Sequence, residues 1–288
     1  MREFNLILSG GGVKAYTHLG IYKYCFERGI KFNEIVAVSG GALIAPFIFL
    51  ERHPDSLIYL FKESRVHKKI FPLWFIPNKF EFVVFEPSTI KIGLWLEKQF
   101  TKSELNKIEN TPKLHIMATK RPDSKSSPLY CNVLRFGKLK DAIAATTAIS
   151  GVFKAHKVGK NCYVDGAHWN NTPLFFDFVD NLLPLIAVNL SSYAQFKETK
   201  GRISKIIRGY EISSYARFTE DLKRWEEAKT CKKRGELTTI TPDLSHINPL
   251  DLDLTDEEID KLIDIGYKAA RESLKIFHQS RLTQTLFG

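Results

Sequence analysis

The chain has 288 residues, 44% of them hydrophobic and 26% charged, which is ample for a sizeable core and excludes a disordered or fibrous protein. Its longest apolar run, 42–50, is about half of the roughly 20 residues that a bilayer-crossing helix needs, so no spanning segment is predicted. The 42 Lys and Arg against 32 Asp and Glu leave a net charge of +10, which suits either a polyanionic partner or a merely solvated basic surface.

In chain order, residues 4–8 ("FNLIL") read as a buried strand, and "SGGG" follows as a tight loop. Residues 13–28 carry apolar side chains at helical spacing, with Gly29 as a C-cap. Residues 34–38 form a second predicted strand and 40–51 a second helix. This βαβα order implies a parallel sheet with helices packed on it. The stretch 55–111 is less regular and holds "FPLWFIPNKFEFVVF", dense in aromatics and broken by Pro72 and Pro77. It is most simply core and turns, though its Trp74, Phe75 and Ile76 would also suit a lid or an interfacial patch. Further strands are predicted at 114–118, 130–134, 162–164 and 185–189, and helices at 139–149 and 203–225. Thr255 and Glu258 make a capping-box pattern ahead of a last helix. No linker divides the chain, which predicts a single domain over 1–288 with 55–111 as a lid or insertion region.

Three segments carry chemistry. "AVSGG", residues 37–41, places Ser39 where a strand gives way to a helix, with Gly40 and Gly41 behind it. That suits an exposed nucleophile on a sharp turn, in the manner of G-x-S-x-G with alanine at the first position. A serine that merely caps the helix fits the same residues. "LSGGGVKAYTHLG" begins with Gly10, Gly11 and Gly12, whose backbone N–H groups would converge on a phosphate or an oxyanion. The same glycines satisfy the dinucleotide fingerprint, yet the acidic residue expected at the end of the second strand is absent there. Lys14 would steady this loop, meet a phosphate, or lie solvated on its helix. "CYVDGAHWNNTPL" offers Asp165 after a short strand, followed by Gly166 and Ala167, as a turn or as a base for the serine. His168 invites a triad, but the eight histidines sit in no recognisable triad or metal-ligand motif.

These motifs, in this order, resemble the patatin-like phospholipase family. "GGGVKA" is similar to its G-G-G-x-R/K-G loop, residues 37–41 to its elbow, and Asp165-Gly166-Ala167 to its D-G-G/A motif. "ATTAISGVF", with Ser150 where a proline is usual, and "VDGAHWNNTPL" are similar to further segments of the family. The resemblance implies a three-layer α/β/α fold with a largely parallel central sheet. It implies Ser39 as nucleophile, Asp165 as general base, and an oxyanion hole at Gly10, Gly11 and Gly12, with Lys14, Gly40, Gly41, Gly166 and Ala167 in support. Asn170, Asn171 and Pro173 would hold the loop that positions Asp165. The expected activity is hydrolysis of acyl esters in phospholipids or other acyl lipids, with no metal and no organic cofactor.

A nucleotide-cofactor enzyme built on the glycine loop, and a lipid-binding protein with weak catalysis, are the alternatives. The expected partners are the lipid and an anionic membrane surface met peripherally. No nucleic acid is expected, since the basic residues form neither a zinc knuckle nor an Arg-rich tail. Four widely spaced cysteines without a CxxC pair, behind an N-terminus that enters a strand directly, predict reduced thiols and the cytoplasm.

Overall fold

A computed structural model describes residues 2–69, 88–121, 130–135, 137–191, 202–230, 234–251 and 253–275. Its first half holds β1 (Arg2–Leu8), α1 (Tyr16–Glu27), β2 (Ile30–Val38), α2 (Ala45–Phe49), α3 (Pro54–Ser64), α4 (Val66–Lys69), α5 (Ile90–Glu97), α6 (Lys102–Glu109), β3 (Leu114–Lys120) and β4 (Tyr130–Asn132). The second half adds α7 (Leu139–Thr146), β5 (His156–Val158), β6 (Asn161–Asp165), β7 (Leu185–Val188), α8 (Arg202–Thr230), β8 (Leu237–Ile240) and α9 (Asp256–Leu274).

The strands form one sheet in the order β5-β6-β3-β2-β1-β7-β8, with β4 also paired to β3. The run from β3 through β2, β1 and β7 to β8 is parallel, and β4, β6 and β5 join antiparallel at the other end. A strand covered on both faces must be apolar on both, and β1 is: Phe4, Leu6 and Leu8 enter one core and Ile7 the other. In β2, Ile35 and Ala37 alternate in the same way with Val36 and Val38. On the first face pack α1, α2, α3, α5, α7 and α9, through side chains such as Leu19, Phe47, Phe61, Leu96, Ile143 and Leu262. The second face is covered by Phe218 and Trp225 of α8 with Leu174 and Phe178. The architecture is the expected three-layer α/β/α one, and its sheet is mostly parallel.

Several boundaries differ from the sequence reading. The glycine loop first winds into a 3-10 turn, Gly12–Ala15, and only then into α1; Ser39–Leu43 does the same ahead of α2. The strand expected at 130–134 stops at Asn132, whose Oδ1 accepts the N–H of Leu134 and folds Val133–Arg135 into a turn. The helix expected over 139–149 ends at Thr146, and the Ala148 carbonyl instead accepts the N–H of Asp165. The short strands β5 and β8 and the four helices α3–α6 were not anticipated. The described parts of 55–111 are helices, and Leu57, Phe61, Ile92 and Leu96 from them lie in the first core. Trp74, Phe75 and Ile76, the lid candidates, lie outside the described residues. The predicted cap of the last helix forms: the Thr255 N–H donates to Glu258 at 2.8 Å, and the Glu258 N–H donates to the Thr255 hydroxyl at 3.2 Å. Among the described residues, no helix is long and apolar enough to cross a membrane.

α1 and α9 cross backbone to backbone. A Cβ on Gly20 would stand 1.8 Å from the Ile263 carbonyl oxygen, and one on Gly266 would stand 2.1 Å from that of Thr17. Gly266→Ala is therefore expected to destabilise by about 1–3 kcal/mol through overpacking, read as a lower urea midpoint. An unchanged midpoint would mean that the two helices do not touch there.

Candidate active site

Ser39 is the first residue after β2, and its φ of 47° is left-handed, a conformation that a serine adopts only when its surroundings hold it. They do. The Ser39 N–H donates to the Thr146 hydroxyl at 2.8 Å, and that hydroxyl donates to the Met117 carbonyl at 2.5 Å. Gly40 and Gly41 follow in the 3-10 turn. Any side chain at Gly41 would collide with β1, its Cβ standing 2.6 Å from the Leu8 carbonyl oxygen. Ala37, by contrast, lies in the ladder between Leu8 and Ile116, where extended backbone accepts a methyl group.

Asp165 ends β6 opposite Ala118 of β3, which brings it to the same end of the sheet as Ser39. The Ser39 hydroxyl donates to Asp165 Oδ2 at 2.6 Å, and the Ala167 N–H donates to Oδ1 at 2.8 Å. Gly166 and Ala167 form the turn that makes the second bond possible. Both Ser39 and Asp165 are buried. Burial pushes the Asp165 carboxyl from 3.8 up to about 7, against the opposing pull of the bonds from Ser39 and Ala167. A carboxylate so placed is a far better proton acceptor at neutral pH than an exposed aspartate.

The glycine loop arrives from the other side. The Gly10 N–H donates to Asn171 Oδ1 at 2.8 Å, while Asn171 Nδ2 donates to the Gly10 carbonyl at 3.2 Å and to the Ser191 hydroxyl at 3.0 Å. Asn171, read from the sequence as a support for the Asp165 loop, thus clamps the glycine loop directly. Gly10 has to be glycine, because its Cβ would stand 2.7 Å from that of Ser39. Gly10, Gly11, Gly12, Ser39 and Asp165 line one cavity, partly open to solvent. Ile149, Leu190, Pro249 and Leu250 give it apolar walls.

Lys14 is not a solvated lysine. It is fully buried and pairs with Glu211 of α8, which also lines the cavity. Burial raises the Glu211 carboxyl above the usual carboxylate range, and Lys14 opposes that rise. Sequence reasoning missed Glu211 because a single glutamate in a charged amphipathic helix carries no mark of burial. Lys14→Met would leave Glu211 buried without a partner, and the expected cost is about 3–5 kcal/mol. Adding Glu211→Leu to it should recover most of that in chemical denaturation; equal losses in the single and double variants would mean the pair is not coupled.

His168 lies outside this arrangement. It is exposed, and its Nδ1 shares a 2.8 Å hydrogen bond with the Tyr210 hydroxyl, whereas the Ser39 hydroxyl faces Asp165.

The family model for patatin-like phospholipases matches residues 6–178. A curated relative, the uncharacterized protein YqhO of Bacillus subtilis (strain 168), is 22% identical over 290 residues, covering 93% of this chain and 97% of that protein. Among solved structures, VipD from Legionella pneumophila matches with a TM-score of 0.50 at 13% identity, over 95% of this chain and 67% of its own, a likeness of fold.

Proposed function

The chain belongs to the patatin-like phospholipase family, and on that premise we propose that it hydrolyses phospholipid acyl esters with Ser39 as nucleophile and Asp165 as base. The observation that carries this reading is the 2.6 Å hydrogen bond between the two side chains at a buried, strained turn. Ser39 Oγ attacks the ester carbonyl as its proton passes to Asp165 Oδ2. The carbonyl oxygen becomes an oxyanion beside the glycine loop. Because the Gly10 N–H is committed to Asn171, the N–H groups of Gly11 and Gly12 are the donors assigned to it. Collapse of the intermediate expels the alcohol, a lysolipid, which takes the proton from Asp165. Water then enters, loses a proton to the same carboxylate and releases the fatty acid from Ser39, restoring the serine.

The apolar walls at Ile149, Leu190, Pro249 and Leu250 suit an acyl chain. The scheme calls on no metal or organic cofactor. A dinucleotide would need an acid at the end of β2, where Val38 and Ser39 stand. Cys25 and Cys162 carry free thiols, which suits the cytoplasmic setting we propose, with peripheral contact at anionic membranes favoured by the net charge of +10. A fluorophosphonate should label Ser39, and phospholipid micelles should yield free fatty acid. A protein that binds vesicles but neither takes the label nor releases fatty acid would overturn the hydrolase reading.

A further inference from the structure

Close to the acyl cavity in sequence lies a second concavity, open to solvent, whose lining mixes basic and polar groups with Phe153, Ala155, Val164 and Trp169. Lys120 and Arg121 reach it from the end of β3, His168 and Trp169 from the turn after Asp165, and Ser150 and Gly151 from the segment after α7. No Asp or Glu is among the described residues that line it. No described residue lines both cavities, but sequence neighbours are divided between them. Ile149 lines the first and Ser150 the second; Ala167 lines the first and His168 the second. At both places the two lining residues are one Cα–Cα step of about 3.8 Å apart. The Tyr210 hydroxyl, on a residue that lines the first cavity, shares a 2.8 Å hydrogen bond with Nδ1 of His168, which lines the second. In the ladder Lys120 pairs with Tyr163, two residues past Ala118, the partner of Asp165, or roughly 7 Å along the strand from it.

An acyl cavity at the nucleophile and a cation-bearing cavity on adjacent stretches of chain match a molecule with an apolar chain on one side of its ester and an anion on the other. We propose that the second cavity binds a phosphoryl group through Lys120 and Arg121, with the phospholipid headgroup or free phosphate as its source. Arg offers a planar fork that fits two phosphate oxygens, and Lys adds a point charge. The glycerol backbone sets its phosphate only a few bonds from each scissile ester, so a molecule held at Ser39 would carry its anion toward the second cavity. As a substrate subsite this rests on the hydrolase reading; as an anion site it stands apart from it.

The test pairs two assays on the full chain with the Lys120→Gln/Arg121→Gln double variant. In the first, a monomeric short-chain phosphatidylglycerol is compared with p-nitrophenyl butyrate, an uncharged ester. The expected result is a loss of about 10- to 100-fold in kcat/KM for the phospholipid, the effect of removing charge-assisted bonds, carried mainly by KM. The uncharged ester should change by no more than about twofold. Equal effects on both esters, or none on either, would overturn the subsite. In the second, glycerol 3-phosphate and inorganic phosphate are titrated calorimetrically, with no need for turnover. Binding of glycerol 3-phosphate alone, lost in the variant, assigns the site to the headgroup. Binding of both ligands, lost in the variant, supports the site with free phosphate as a second source. Absence of binding to the wild type, or equal binding to the variant, overturns the proposal whether or not esters are cleaved.

Discussion

Asp165→Asn is expected to lower turnover by about 10²- to 10⁴-fold, the usual contribution of a general base, and at the same time to make the protein more stable at pH 8. An amide keeps the size of the side chain and can still accept from the Ala167 N–H, but it cannot take the proton of Ser39. The gain in stability follows from linkage. The folded carboxyl titrates at about 7 and the unfolded one near 3.8, so between those values the folded state holds a proton that the unfolded state has lost. Stability from this group therefore falls as pH rises from about 4 to about 7, then stays level. Removing the buried charge returns that loss, up to an order of about 3–4 kcal/mol. Thermal melts at pH 4.5 and pH 8 check it: the variant should gain at pH 8 and little at pH 4.5. The same titration sets the wild-type rate profile, in which kcat/KM rises with pH to a half-maximum near 7, because only the ionised carboxylate accepts a proton. His168→Ala should stay within a few-fold of wild type. A dead His168→Ala beside an active Asp165→Asn would place the base at the wrong residue.

Ser39→Ala should abolish ester hydrolysis, a loss on the order of 10⁶-fold where a covalent nucleophile is removed, and should lose fluorophosphonate labelling with it. Ser39→Gly separates chemistry from strain. It is equally inactive in this reading, yet glycine relieves the left-handed backbone, so it should be more stable than Ser39→Ala by about 1 kcal/mol. Residual turnover in either variant, once contaminating wild type is excluded by mass spectrometry, would remove Ser39 from the reaction.

Much of this is legible in the sequence. β1 and β2 carry apolar residues on both faces because both faces are covered, and the glycines around Ser39 announce a backbone that passes too close for side chains. What stayed hidden depends on tertiary partners. Lys14 and Glu211 stand 197 residues apart, and nothing local to either tells a buried pair from two solvated charges. β5 and β8 are three and four residues long, so neither has room for a hydrophobic pattern, and each exists only through its neighbour in the sheet. Lys120 and Arg121 carry no local mark of a site, and only the end of β3 brings them to one concavity with His168.

The sheet is synthesised from the middle outward, so its central strands emerge long before their outer neighbours. β1 finds β2 almost at once, but its other edge waits for Leu185, which pairs opposite Asn5, and α1 waits for the helix that carries Gly266. At ordinary translation rates of about 5–20 residues per second, that gap leaves the Leu6-Ile7-Leu8 edge unpaired on the ribosome for roughly 10–35 s. An open apolar edge is a template for pairing with another chain. Fragments that end before β7 should aggregate even though they contain Ser39, Asp165 and the whole glycine loop.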